Sequence, residues 1–210
     1  MKRALVAALE AADWLSLRAV WVGGTLIFAA ALLVSADVIA RKVIGVTFGG
    51  ADELSGYAFA IGTTWALAFT LLRRANVRVD ALYQHLPPKL CALLDLLALV
   101  ALGVFAGLLA RYGFEVASES FTRNALSNTQ LKVPLWIPQG LWFLGLALFV
   151  TTLGLLLLRG AHALVTGDWV SLQALFGART IHEDAEEEAA YARDVVAKDG
   201  VTDGSKQVSA

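Results

Sequence analysis

From Leu54 to Leu72 the chain carries no charged side chain, while Asp52 and Glu53 stand immediately before this run and Arg73, Arg74, Arg78 and Asp80 follow it. These nineteen residues, coiled as a helix, make a rod of roughly 28 Å, close to the hydrocarbon thickness of a bilayer at about 30 Å. A helix satisfies its backbone polar groups internally, so such a segment can cross lipid while its charged ends stay in the headgroups. Three more runs share the pattern. The first, about 19–40, lies between Arg18 and the pair Arg41–Lys42, and its one interior charge is Asp37. The third, about 90–111, has Asp95 near its start and Arg111 closing it. The fourth, about 138–158, has Pro134 and Pro138 at its beginning, where a helix tolerates proline. The sequence predicts an all-α integral membrane protein with four transmembrane helices, the second spanning 54–72. A charged fraction of 17%, against about 25% in soluble domains, and a mean hydropathy of +0.65 agree.

Orientation follows from the placement of Lys and Arg. Lys2, Arg3, Arg18, Arg73, Arg74, Arg78, Lys89, Arg159 and Arg179 fall on one side, and Arg41, Lys42, Arg111, Arg123 and Lys132 on the other. The positive-inside rule then puts both termini in the cytoplasm. Trp14, Trp21, Trp136, Trp142 and Trp169 stand near the ends of the runs and read as interfacial belts, whereas Trp65, in mid-span, reads as a lipid or partner contact. Residues 1–18 form a separate segment: Glu10 and Asp13 interrupt the apolar run before it suffices for a signal peptide, and Leu5, Leu9 and Ala12 share one face. They predict a short helix lying in the interface. The four-helix membrane domain covers 19–165. Residues 166–210 read as a cytoplasmic tail, acidic over Glu183–Glu188, with a brief helix around Glu186–Val196 and disorder beyond.

The chemistry-bearing side chains are sparse. Asp37 and Arg41, four residues apart, share a helix face and predict an ion pair at the end of the first crossing. Glu53 opens the second helix, where the exposed N–H groups and the dipole favour a carboxylate; Tyr57 follows on the same face, and Arg41 or another subunit is a second candidate partner for Glu53. Gly103, Gly107 and Ala110 suggest a close-packing seam. The longest external segment, 112–137, carries Glu119, Asn124 and Asn128, and its first half is placed to continue the third helix out of the bilayer. His85, His162 and His182 lie outside the apolar cores, so the bundle offers no axial haem ligands. Phosphate-binding, dinucleotide and zinc-protease motifs are absent, and the reading is of a non-enzyme without cofactor, metal or nucleic acid. Cys91 is the single cysteine, so no disulfide forms within the chain. Broken mid-membrane segments in repeated pairs, expected of a carrier built from inverted repeats, are missing too.

Taken in order, Asp37 and Arg41, Glu53, the run Leu72-Arg73-Arg74-Ala75-Asn76-Val77-Arg78-Val79-Asp80 with Leu86 and Pro87, and Lys132-Val133-Pro134-Leu135-Trp136-Ile137-Pro138 with Gln139 and Gly140 resemble the small membrane subunit of tripartite ATP-independent periplasmic (TRAP) transporters, of the DctQ type. The resemblance covers roughly residues 15 to 165. Asn76 departs from it, since the family often has histidine there. The resemblance implies an accessory subunit that binds a large multi-spanning permease subunit and helps receive a periplasmic solute-binding protein, for ion-gradient-driven uptake of a small organic acid or similar solute. Arg74, Arg78 and Asp80 are expected to fix the cytoplasmic turn after Arg73 through lipid phosphates and a local ion pair. Trp136, Pro138 and Gly140 become candidates for the partner interface, as do Gly103 and Gly107, and Glu119, Asn124 and Asn128 candidates for docking. The alternative is a stand-alone homo-oligomeric channel or carrier.

Overall fold

The computed structural model describes residues 2–47, 49–74 and 87–167, together with Ala189, Ala192 and Arg193. Chain contacts divide it into two units, Met1–Phe176 and Gly177–Ala210. Among its described residues the first unit holds four helices: α1 Lys2–Val43, α2 Ala51–Leu72, α3 Pro88–Thr122 and α4 Trp136–Val165. Each contains a stretch long and apolar enough to cross a membrane, as the uncharged runs predict. In the second unit Ala189, Ala192 and Arg193 are helical; the remainder of the expected 186–196 helix and the expected disorder beyond it fall outside the described residues.

The helices are longer than the apolar runs. α1 is the clearest case: its 42 residues make a rod of roughly 63 Å, about twice the bilayer core. No break separates 1–18 from 19–40, because Glu10, Asp13 and Arg18 are good enough helix residues and charge alone does not end a helix. Leu9 and Ala12 are buried, and Leu9 joins a core cluster with Leu71, Leu99, Phe149, Leu156 and Ala163. The first turns of α1 thus complete the bundle at this end, and Asp13 meets Arg73 there, 3.3 Å apart.

Helix ends are set by local backbone chemistry. In each of the four, the residue just past the C-cap or last turn takes a left-handed conformation: Gly45, Arg74, Asn124 and Gly167. Such a residue lets the chain turn back onto the last free carbonyls, as in the bonds from Arg74 N to Leu71 O and from Gly167 N to Leu164 O, both 3.2 Å. At the start of α3, Pro88 occupies the first turn after Pro87, where the missing N–H has no intrahelical partner to lose.

The helices pack as an open row. α1 packs on α2, α2 on α4 and α4 on α3, with a lesser contact between α1 and α4. Among the described residues α3 makes no substantial contact with α1 or α2, so the bundle does not close into a ring. Burial follows the order: a third of the apolar window is buried in the inner helices α2 and α4, against 17% in the outer α1 and α3. Because lipid tails are as apolar as leucine, burial of side chains does not drive such helices together, and small residues decide where they meet. A β-carbon at Gly103 would stand 2.9 Å from Leu153 of α4, and one at Gly113 would stand 2.7 Å from Trp142. Ala106 and Ala110 are buried between them. The α3–α4 seam therefore runs through Gly103, Ala106, Ala110 and Gly113. Gly107 is not part of it, since nothing lies within 4 Å of where its β-carbon would be.

Candidate functional site

Most of the described charged side chains gather at the two ends of the bundle. At the Asp37 end, the chain leaves α1 through 44–47 and enters α2 at Ala51 from Gly49 and Gly50, while the α3–α4 loop, 123–135, comes back over the same place. Asp37 is 3% exposed. Its carboxylate receives the Arg41 guanidinium one turn on and the Thr47 hydroxyl at 2.9 Å. The expected i, i+4 pair is thus formed, and it also fastens the turn that follows the helix. A carboxylate this buried needs both the opposite charge and the hydrogen bonds.

Glu53 lies at the third position of α2, where it favours the helix dipole. Its carboxylate takes hydroxyls on both oxygens: Tyr57 Oη donates to Oε1 at 2.5 Å, Thr129 Oγ1 of the α3–α4 loop donates to Oε2, and the Ser127 hydroxyl of the same loop is a further hydrogen-bonding neighbour. Ser127 backs Thr129, with the two hydroxyl oxygens 2.6 Å apart and the Thr129 N–H donating to Ser127 Oγ at 3.1 Å. The Arg41 guanidinium is engaged by Asp37, so the described partners of Glu53 are Tyr57 and the loop. Sequence separation hid this, for Thr129 is 76 residues away.

The loop is folded on itself and on the α1–α2 turn. Ser127 N bonds to Val133 O at 2.9 Å and Leu135 N to Ala125 O at 3.0 Å, around the isolated antiparallel bridge between Leu126 and Pro134. Gly50, at φ 103°, is packed under the Leu131 side chain so closely that a β-carbon there would collide with it, and Gly49 sits likewise under Gln130. The adjacent Gly-Gly was a signal for this approach that local reading passed over. Between turn and loop remains a crevice of about 540 Å³ bordered by Asp37, Arg41, Asp52, Glu53, Asn128 and Gln130.

Glu119 pairs with Arg123 at 2.6 Å on the exposed face of α3, and Arg111 with Glu115 at 3.2 Å. Asn124, at φ 48°, is the left-handed residue that ends α3; its residue type has a local reason. Asn128 is exposed at the crevice. Trp136 meets Phe121 edge-on, ring centres 5.6 Å apart. Pro138 is buried in the first turn of α4, and Gly140 has open space where a side chain would go.

At the Asp13 end, Arg73 pairs with Asp13 and lies 5.2 Å above the Phe69 ring. Arg74, at φ 52°, ends α2. Arg78 and Asp80 lie outside the described residues. Asp95 is buried at 6% exposure; the side chains of Arg78 and Lys89, its expected neutralisers, lie outside the described ones. In mid-membrane, Trp65 does not face lipid: its indole N–H donates to Leu141 O at 2.8 Å, and its ring lies on Gly145, whose β-carbon would be 2.5 Å from Trp65 Cδ1. Trp142, read as a belt residue, packs on Gly113. Among the described residues no group of three or more His, Cys, Asp or Glu is placed to hold a metal.

Helices fit to cross lipid, with polar clusters that bind one helix or loop to another, define a multi-pass helical membrane protein. Residues 30–163, reaching from the middle of α1 to the end of α4, match the family model described as Tripartite ATP-independent periplasmic transporters, DctQ component. The chain belongs to that family, the small permease components of TRAP transporters. It matches no curated protein and no solved structure.

Proposed function

We propose that the chain is the small accessory subunit of a TRAP-type secondary transporter in a bacterial inner membrane. It scaffolds the large multi-spanning permease subunit and helps dock a periplasmic solute-binding protein, for ion-gradient-driven uptake of a small organic acid or similar solute. The family match across all four helices carries the proposal. The open row supports it, because two thirds or more of each apolar window is left unburied by the chain itself, leaving room for partner helices as well as lipid.

With four crossings, the two ends of the helical unit lie on one side. The balance of Lys and Arg makes that side the cytoplasm, so that the Asp37 end faces the periplasm and the Arg73–Arg74 turn meets anionic lipid. Cysteines introduced at Lys42 and Asn128 are then labelled by a membrane-impermeant maleimide in intact spheroplasts, while one at Thr166 is labelled only after lysis; the opposite pattern reverses the topology.

The decisive experiment is affinity purification from native membranes with tagged chain, followed by deletion of its gene. The expected results are a co-purifying, much larger membrane protein and loss of solute uptake. Uptake undiminished by deletion overturns the proposal. For docking, the test is photo-cross-linking from Glu119, Asn124 and Asn128 to the binding protein.

A further inference from the structure

We propose that Glu53 is a positioning residue: it locks the α3–α4 loop onto the α1–α2 turn, so that the two present one rigid surface to the solute-binding protein. The purpose of the lock rests on the docking reading above; the lock itself rests on geometry.

The loop has a reason to need holding. It joins the two helices of the α3–α4 pair, yet it reaches across to the other pair, and among the described residues the substantial helix contacts that join the pairs are those of α4 with α2 and, to a lesser extent, with α1. At this end the joint consists of side chains. Leu131 and Gln130 lie over Gly50 and Gly49, contacts that are apolar or neutral and readily exchanged for water or lipid. Glu53 makes the charge-assisted one, through the Thr129 hydroxyl, and such bonds are about twice as strong as neutral ones. Tyr57 Oη, at 2.5 Å on the other oxygen, fixes the carboxylate's rotamer, and the buried Ser127 orients the Thr129 hydroxyl from behind. Glu53 itself is held in the first turn of α2, a rigid element. The result is a chain of hydroxyls, Tyr57 and Thr129 on one carboxylate with Ser127 behind, that ties a loop to a helix 76 residues away. Asn128, beside Thr129, is thereby placed at the rim of the crevice opposite Arg41 and Asp52.

The test uses the full chain co-expressed with its large subunit, with Cys91→Ser as background and spin labels on cysteines at Lys42 and Asn128. Pulsed dipolar spectroscopy is expected to give a narrow distance distribution in the parent, a broad one in Glu53→Ala and Thr129→Val, and a narrow one again in Thr129→Ser. Thr129→Val leaves the start of α2 untouched, so it reports even if Glu53→Ala fails to assemble. In proteoliposomes, Thr129→Val is expected to raise the binding-protein concentration for half-maximal uptake about three- to ten-fold, the scale of one lost hydrogen bond, with maximal uptake unchanged and Thr129→Ser restoring the parent value. Distributions that stay narrow in both broken variants overturn the lock. Broadening with an unchanged half-saturation upholds the lock and overturns the docking reading.

Discussion

The backbones of Gly23 and Gly62 touch: a β-carbon at Gly23 would stand 2.9 Å from the Gly62 Cα and 3.0 Å from its carbonyl oxygen. This is where α1 and α2 cross, and the neighbouring Gly24 has nothing within 4 Å of its β-carbon position. Two adjacent glycines in one helix thus have opposite situations.

Gly23→Leu is expected to force the helices apart and to destabilise the detergent-solubilised chain by about 1–3 kcal/mol, the usual range for overpacking. Gly24→Leu should leave stability within about 0.5 kcal/mol or raise it slightly through helix propensity. Thermal unfolding followed by size-exclusion chromatography compares the two. Equal losses would mean that the crossing is not at Gly23.

The α3–α4 seam gives a second matched pair. Gly103→Ile drives a side chain into Leu153 and Leu157 and should cost about 1–2 kcal/mol, less than a backbone clash because leucine ends can shift. Gly107→Ile enters open space and should be neutral in the isolated chain. If Gly107→Ile were the more damaging in thermal unfolding, the seam would follow the Gly103–Gly107–Ala110 spacing instead.

For Asp37 and Arg41 the asymmetry of burial predicts an asymmetry of effect. The Arg41 side chain is 57% exposed and that of Asp37 4%. Arg41→Met takes the opposite charge from a buried carboxylate that keeps the Thr47 hydroxyl, and should lower stability. Asp37→Asn in the same chain should recover most of the loss, because the buried charge is then removed. A double-mutant cycle by thermal unfolding decides the matter: an Arg41→Met/Asp37→Asn variant no more stable than Arg41→Met would show that the loss does not come from the carboxylate's charge.

Trp65→Phe keeps most of the ring against Gly145 and removes the indole N–H donated to Leu141 O. The expected loss is about 1 kcal/mol, typical of one interhelical hydrogen bond in a membrane protein. Trp65→Leu, which also removes the ring's packing, should lose more. Equal stability of Trp65→Phe and the parent in the same assay would place the weight on packing alone.

Much of the architecture was legible in the chain because lipid enforces it. Apolar runs of crossing length, with Arg18, Arg41, Glu53, Arg73 and Arg111 at their ends, fix the number of crossings, since a charge is too costly to leave in hydrocarbon unpaired. The Asp37–Arg41 pair was legible as well, being local to one helix face, as was the continuation of α3 past Arg111 into the first half of 112–137. Helix ends beyond the bilayer were not, and α1 continues unbroken through Glu10, Asp13 and Arg18 because outside lipid a charge is no longer a boundary.

By itself, then, the sequence determined the helical class, the four crossings and the helix-local pairing, each set by the cost of placing charge or bare backbone in lipid. Tertiary structure alone decided which small residues serve: Gly103 and not Gly107 in the seam, Gly23 and not Gly24 at the crossing. It also decided that Trp65 faces α4, that Leu9 and Ala12 pack inward, and that Glu53 answers to Thr129. The physical reason is common to all of these. Lipid and a neighbouring helix are alike to an apolar residue, so hydropathy does not say which one it meets; the close approach of backbones from distant parts of the chain does.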